Sequence, residues 1–250
     1  MKKAKIYAIS SVKGGTGKTT TILNLAAMCN LLKHNVLVLD LDLAAGDIAA
    51  RLDVDYDKDI YNCYEDITNH TFDKVENYIY SYKEGFDILP APKDPRYANK
   101  IEPSFLSFLL SKVSLKYDVI FIDTNHLLSN INLFAFDYSD QIMYVFNNDS
   151  MNLKGLRTMV AIFEDMETDK MSLILNDANK KSTGDYSIPD ITNIIKREID
   201  YRIPKSFYQK KYDKYVIDGR IFLFDAQIRR KCKRAVRIYK SMAKSLLKED

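Results

Sequence analysis

A glycine-rich segment near the amino end constrains this chain more than any other part of it: Lys13-Gly14-Gly15-Thr16-Gly17-Lys18-Thr19-Thr20. It follows an apolar run at residues 6–10, which predicts a buried strand, and precedes residues 21–29, which predict an apolar helix. Strand, glycine loop and helix form the context that a phosphate-binding loop needs. Glycines let backbone N–H groups approach an anion without a clashing Cβ, and the helix adds its positive end. The segment therefore predicts a nucleotide site.

The side chains of this loop have separate predicted roles. Lys18 can reach the β- and γ-phosphates, and the Thr19 hydroxyl can bind Mg²⁺. The glycine loop predicts ATP contacts from Gly14, Gly15, Thr16, Gly17, Lys18, Thr19 and Thr20. The predicted cofactors are ATP and Mg²⁺. No other metal is expected, because three cysteines and three histidines lie far apart along the chain.

Strand-like apolar runs alternate with helical stretches along the rest of the chain. Strands are predicted at residues 36–40, 86–90, 117–123, 141–146, 171–176 and 201–204, and helices at 103–112, 151–167 and 187–198. Residues 55–83 predict irregular helices at the edge. The alternation predicts an α/β fold, a doubly wound and mostly parallel sheet with helices on both faces. With 250 residues, the chain is expected to form a single P-loop NTPase domain over residues 1–250.

Acidic residues at two predicted strand ends extend the site. Asp40 and Asp42 end the second strand with i, i+2 spacing, so both carboxylates can point into one crevice and hold a Mg²⁺-bound water or orient the attacking water. Asp123 ends another apolar strand and can accept from Mg²⁺-bound water. In such sheets ligands bind at the carboxyl ends of the strands. Thr19, Asp42 and Asp123 are the predicted metal site; the alternative for Asp40 and Asp42 is a pair of solvated loop acids.

The loop sequence K-G-G-T-G-K-T-T resembles the deviant Walker A motif of the ParA/MinD superfamily of ATPases. The resemblance implies that Lys13 reaches across an ATP-dependent homodimer to the partner's ATP; the alternative is a solvated surface lysine. It also implies that Asp42 serves hydrolysis with Asp40 in support, so that Lys13 and Asp42 are the catalytic residues. Asn176, which ends a predicted strand, is implied to contact adenine, with a loop cap as the alternative. The implied activity is slow hydrolysis of ATP to ADP and phosphate.

The stretch D-L-D-L-A-A-G-D at residues 40–47 is especially similar to the CpaE/TadZ branch of pilus-assembly and localisation ATPases. The implied function is a switch that positions a cellular assembly, such as a pilus or secretion apparatus. No receiver-like domain is expected before the first strand. The chain lacks the proline and glutamine that ParA proteins proper usually have after Asp42. It also lacks, in Asp123-Thr-Asn-His126, the prolines that the family often has shortly after this acid. This difference suggests an alternative function, a nucleotide-locked scaffold with negligible turnover.

Charge is distributed unevenly behind the net value of +3. Residues 196–250 contain 17 Lys and Arg against 7 Asp and Glu, so this segment carries +10 and the remainder −7. A basic C-terminal fifth permits binding to nucleic acid, anionic lipid or an acidic partner. No apolar run approaches the ~20 residues of a membrane span or forms a signal peptide. The expected location is the cytoplasm, with a peripheral position at the membrane or a cell pole as an alternative.

An apolar stripe within this basic segment follows helical spacing: Ile228, Cys232, Ala235, Tyr239, Met242 and Leu246. It predicts a last helix with one apolar face. Three roles stay open for this helix. It can pack on the sheet with a solvated basic face, bind nonspecific DNA as in a ParA-like partition ATPase, or lie on an anionic membrane surface.

Overall fold

The computed structural model describes residues 3–177, 186–207 and 212–248. Its strands are β1 (Lys5–Ser10), β2 (Val36–Leu41), β3 (Tyr80–Ser81), β4 (Asp87–Leu89), β5 (Val119–Thr124), β6 (Gln141–Phe146), β7 (Met171–Asn176) and β8 (Tyr201–Ile203). They form one sheet with the order β3-β4-β2-β5-β1-β6-β7-β8. All neighbouring strands are parallel except β3 and β4. The predicted mostly parallel sheet is confirmed.

Helices cover both faces of this sheet. They are α1 (Lys18–Leu31), α2 (Ile48–Leu52), α3 (Ile60–Thr68), α4 (Phe105–Val113), α5 (Asn130–Tyr138), α6 (Ser150–Asp165), α7 (Ile188–Ile195), α8 (Tyr212–Ile217), α9 (Ala226–Lys231) and α10 (Lys233–Leu246). Alternate residues of β1 enter different cores: Tyr7 and Ile9 pack with α1, α2, α9 and α10, while Ile6 and Ala8 pack with α3 to α7. The helices on both faces explain the near-continuous apolar strands, because β2, β5 and β7 are buried along their whole length.

Three predicted segments differ from the observed ones: the helix at 187–198, residues 55–83 and the last helix. The helix predicted at 187–198 ends at Ile195, because Lys196 takes a left-handed conformation with φ 61°. Residues 55–83 contain α3, which begins at a capping box formed by Asp59 and Asn62, but also the edge strand β3. A two-residue strand is too short to show a period, so the sequence did not predict it.

The predicted last helix is two helices, α9 and α10, which meet at Cys232. All six residues of the apolar stripe are buried, and the Tyr7 hydroxyl donates to the Leu246 carbonyl at 2.5 Å. The stripe therefore packs against α1 and the sheet and is not available to lipid in this conformation. Across the three described stretches, no helix is long and apolar enough to cross a bilayer.

Candidate nucleotide-binding site

The glycine loop connects β1 to α1, as its sequence predicts. Gly15 and Gly17 have φ of 77° and 94°, a left-handed region that side chains with a Cβ rarely adopt. α1 begins at Lys18 with Gly17 as its N-cap, and no described side chain caps its first turn. The first N–H groups of α1 therefore face the loop without a side-chain acceptor, which is the arrangement that binds phosphate at a helix N-terminus.

Two buried asparagines hold this loop to the sheet. The Thr16 carbonyl accepts from Asn176 Nδ2 at 2.8 Å and from Asn147 Nδ2 at 3.4 Å, and Asn147 Nδ2 also donates to the Asn176 carbonyl at 2.9 Å. Asn147 follows β6 and Asn176 ends β7, so the carboxyl ends of two strands fix the loop. The predictions missed Asn147; its place directly after a predicted strand was the available signal.

The predicted adenine contact of Asn176 stays a prediction. Its side chain is buried, with the amide nitrogen on Thr16. Its Oδ1 atom is buried and has no hydrogen-bond partner in the described part of the chain. The observed role is to hold the loop, which resembles the loop-cap alternative.

Two buried carboxylates lie side by side beneath the loop. Asp40 and Asp123 are register partners on β2 and β5, and both are 2% exposed. Burial raises the pKa of Asp123 to about 7, although Lys18 and a hydrogen bond from the Thr19 hydroxyl oppose the shift. Burial, followed by the charge of Asp123, also raises the pKa of Asp40. Ionisation of both carboxylates therefore destabilises the folded chain unless a cation lies nearby.

Asp40 organises the turn that follows β2. Its carboxylate accepts from the backbone N–H groups of Asp42 and Ile48, each at 3.2 Å. A Cβ on Gly46 would lie 2.7 Å from Asp40 Oδ2 and 2.4 Å from the Ala91 Cβ, so glycine is required at this close approach. The expected role of Asp40 in support of hydrolysis stays a prediction.

A cleft of about 550 Å³ opens above the loop. Its walls include seven predicted site residues: Gly14, Gly15, Gly17, Lys18, Thr19, Thr20 and Asp42. The other four predicted residues do not line it. Lys13 is exposed beside the cleft, Thr16 and Asn176 are buried behind the loop, and Asp123 is buried beneath it. Asp42 is half-buried; burial raises its pKa, while the positive charge of Lys18 acts in the opposite direction.

Six further residues of the cleft were not predicted as site residues: Ala45, Asp47, Arg51, His126, Tyr212 and Asp213. Arg51 Nε donates to Asp47 Oδ2 at 2.6 Å, one helical turn earlier. The Tyr212 hydroxyl lies 2.6 Å from Thr20 Oγ1, so α8 contacts the hydroxyl that was predicted to bind ATP. Tyr212 is distant from the loop in sequence, and no local pattern could place it there.

The residues present fit a Mg²⁺ ion. Asp123 Oδ1 is buried without a hydrogen-bond partner among the described residues, and the Thr19 hydroxyl bonds to the same carboxylate. Asp42 adds an oxygen donor from the cleft wall. A donor set made only of oxygens suits Mg²⁺, which would neutralise the buried acids and link them to bound phosphates.

Residues 4–175 match the family AAA_31, an AAA domain. The chain belongs to this family. The matched residues include the glycine loop, Asp40, Asp42 and Asp123. All the cleft residues except those from α8 therefore lie within the AAA domain.

Relatives and solved structures that are similar to this chain include proteins named Soj and MinD. An uncharacterized protein of Pseudomonas putida is 34% identical over 163 residues, which are 63% of this chain and 61% of that protein. The sporulation initiation inhibitor protein Soj of Bacillus subtilis is 29% identical over 162 residues, 62% of this chain and 63% of Soj. This chain therefore spans less than two thirds of the length of either relative.

Two archaeal MinD structures have the same fold. The cell division ATPase MinD of Pyrococcus furiosus superposes with a TM-score of 0.80 at 22% identity, covering 97% of this chain and 99% of MinD. The septum site-determining protein MinD of Pyrococcus horikoshii, complexed with Mg-ADP, gives 0.78 at 22% identity, covering 97% and 96%. At this identity the likeness shows the fold alone.

Proposed function

We propose that this chain is a Mg²⁺-ATP-dependent switch that dimerises with ATP bound, is released by slow hydrolysis, and positions a cellular assembly. The observation that carries this proposal is the convergence of seven predicted loop and switch residues on one cleft above the buried Asp40–Asp123 pair. The Mg-ADP complex of the P. horikoshii MinD supports the same ligands for this fold. The similarity of residues 40–47 to the CpaE/TadZ branch supports a pilus or secretion apparatus as the assembly.

The binding part of the proposal is tested by Lys18→Ala. Lys18 is the side chain in the loop that can place a positive charge on the β- and γ-phosphates, so its loss should abolish Mg²⁺-ATP binding measured by calorimetry. Lys154→Ala is the matched control, because Lys154 is an exposed lysine on α6 outside the cleft. Equal ATP affinities in the wild type and in Lys18→Ala would refute this use of the cleft.

The dimer part is tested by Lys13→Gln. Lys13 is exposed at the rim of the cleft, where its ammonium can meet phosphates bound by a second copy. With a slowly hydrolysed ATP analogue, the wild type should sediment as a dimer, whereas Lys13→Gln should bind the analogue and stay mostly monomeric. A wild type that stays monomeric at high concentration, or a variant that dimerises equally well, contradicts the role of Lys13. A stable dimer that keeps its ATP without turnover would instead support the nucleotide-locked scaffold.

A second candidate function, ParA-like partition on nonspecific DNA, has specific support in α10. Its exposed basic residues are Lys233, Arg234, Arg237, Lys240 and Lys244, and α10 has no acidic residue. Basic residues in the first turn oppose the helix dipole, so helix stability does not explain them. The apolar stripe is buried, and this leaves an electrostatic surface suited to phosphates.

The DNA candidate predicts a salt-dependent interaction that needs ATP. Arg237→Glu with Lys240→Glu should weaken duplex binding and reduce the slope of log affinity against log salt by about 2, one for each lost phosphate contact. The control is Lys112→Glu with Lys154→Glu, which reverses two exposed lysines on the opposite sheet face. Vesicles of anionic lipid, offered in parallel, test the membrane alternative. DNA binding that both double variants retain would exclude α10 as the surface.

A further inference from the structure

His126 occupies the place where this chain departs from its family. It lies in the loop after β5 and forms part of the cleft wall. Its Nδ1 atom is 4.0 Å from the point that a Cβ on Gly14 would take. The imidazole therefore faces the amino-terminal half of the glycine loop across the cleft.

A network of amides fixes the loop on both sides of His126. Asn125 Oδ1 accepts from the Leu127 N–H at 2.9 Å and from Asn132 Nδ2 at 2.8 Å, and Asn132 Nδ2 also donates to the Leu127 carbonyl at 2.7 Å. Thr124 Oγ1 donates to the Ile9 carbonyl at 2.9 Å, which ties the start of the loop to β1. Because Asn132 is fully buried, these bonds fix the turn that carries His126. His126 is thus presented by a preorganised turn.

The two ends of the cleft differ in which phosphate they can meet. Thr20, Arg51 and Tyr212 line one part, beside the first turn of α1. Gly14 and Asp42 line the part that His126 faces. If ATP binds in the cleft, Lys18 would reach its β- and γ-phosphates, and the groups around Lys18 would lie near the terminal phosphate.

The cleft that His126 lines carries both signs of charge: Lys18 is positive, and Asp42, Asp47 and Asp213 are acids. The imidazole is close enough to Asp42 for its charge to lower the pKa of that carboxyl, in opposition to burial. An imidazole N–H in this position can donate to an oxygen of the γ-phosphate, which ADP lacks.

We propose that His126 contacts the terminal phosphate of bound ATP and makes the site distinguish ATP from ADP. This inference rests on the proposed function, since it assumes that ATP binds in the cleft.

The test compares two ligands in Mg²⁺ by calorimetry, ADP and a slowly hydrolysed ATP analogue. His126→Ala should weaken the analogue about tenfold, as expected for the loss of a hydrogen bond to a charged group, and leave the affinity for ADP within about twofold. His126→Gln, which keeps an N–H donor, should restore most of the lost affinity. His34→Ala is the matched control, because His34 precedes β2 at the opposite end of that strand.

Each outcome has one meaning. If His126→Ala lowers the affinity for both ligands equally, or changes neither affinity, the proposed contact of His126 with the terminal phosphate is refuted. If the wild type fails to bind the analogue, or Lys18→Ala binds it as tightly, the proposed function itself fails. A wild type that prefers the analogue, together with a His126→Ala variant that has lost this preference, supports the inference.

Discussion

Replacing Asp123 by asparagine should stabilise the ligand-free protein and at the same time remove its response to Mg²⁺-nucleotide. Asp123 is 2% exposed, and burial raises its pKa from 3.8 to about 7. A carboxyl whose pKa is raised in the folded state destabilises the fold at any pH where it must ionise. The ionised carboxylate therefore lowers the free energy of unfolding of the ligand-free protein, and the neutral amide of asparagine does not.

The size of this effect follows from the shift in the pKa of Asp123. A rise from 3.8 to about 7 corresponds to roughly 4 kcal/mol of unfolding free energy lost at pH 8, at 1.36 kcal/mol per unit. Asparagine alters the hydrogen bond from Thr19, which subtracts about 1 kcal/mol. The expected net gain is about 3 kcal/mol, or roughly 6–12 °C in melting temperature for a chain of this size.

The pH dependence has a definite sign. Between pH 3.8 and about 7 the folded wild type binds more protons than the unfolded chain, so its stability falls as the pH rises through this window. The free energy of unfolding of Asp123→Asn should therefore exceed that of the wild type most at pH 8, and the difference should shrink as the pH approaches 5.

The assay is urea unfolding with a chelator present, followed by melting with Mg²⁺ and ATP. The ligands should raise the melting temperature of the wild type and leave that of Asp123→Asn nearly unchanged. Asp165→Asn serves as the control, because Asp165 is an exposed carboxylate at the end of α6. A chelated Asp123→Asn variant that is less stable than the wild type at pH 8 would refute the argument from burial.

Two further predictions concern other residues of the site. Asp42→Ala should keep ATP affinity within a few-fold but lose turnover in a phosphate-release assay, since Asp42 is half-buried in the cleft wall; wild-type turnover would contradict its role. Asn176→Ala should lower the unfolding free energy by about 1–3 kcal/mol, because the buried Thr16 carbonyl loses its shorter donor. Asn77→Ala, which removes only an exposed 3.4 Å bond, should change stability by less than about 0.5 kcal/mol, and equal losses in the two variants would exclude the buried contact.

The sequence predicted the parts of the site that depend on local chemistry. The glycine loop must follow a strand and begin a helix, and an acid at the end of a parallel strand must reach the same edge of the sheet. Those rules were sufficient to place Lys18, Thr19, Asp42 and Asp123 at one edge of the sheet, while their roles toward ATP and Mg²⁺ stay predictions. The strands were predicted well because burial on both faces leaves continuous apolar runs.

The missed residues depend on distant parts of the chain. Tyr212 contacts Thr20 across 192 positions, and Asn147 contacts Thr16 across 131. Neither pairing leaves a periodic pattern in the sequence. The hydrogen bond between Asn176 and Thr16 could not be predicted for the same reason, because it joins residues 160 positions apart. The predicted contacts of both residues with ATP stay predictions.

The buried acids also link the charge at the phosphate site to the backbone at the start of α2. Asp123 and Asp40 are register partners, and after burial the charge of Asp123 is the next cause that raises the pKa of Asp40. Asp40 in turn holds the N–H of Ile48, the first residue of α2. A cation beside Asp123 would allow Asp40 to ionise, and an ionised carboxylate accepts this bond more strongly than a neutral one. Neutralisation at β5 would therefore tighten the start of α2, which also carries Arg51 into the cleft wall.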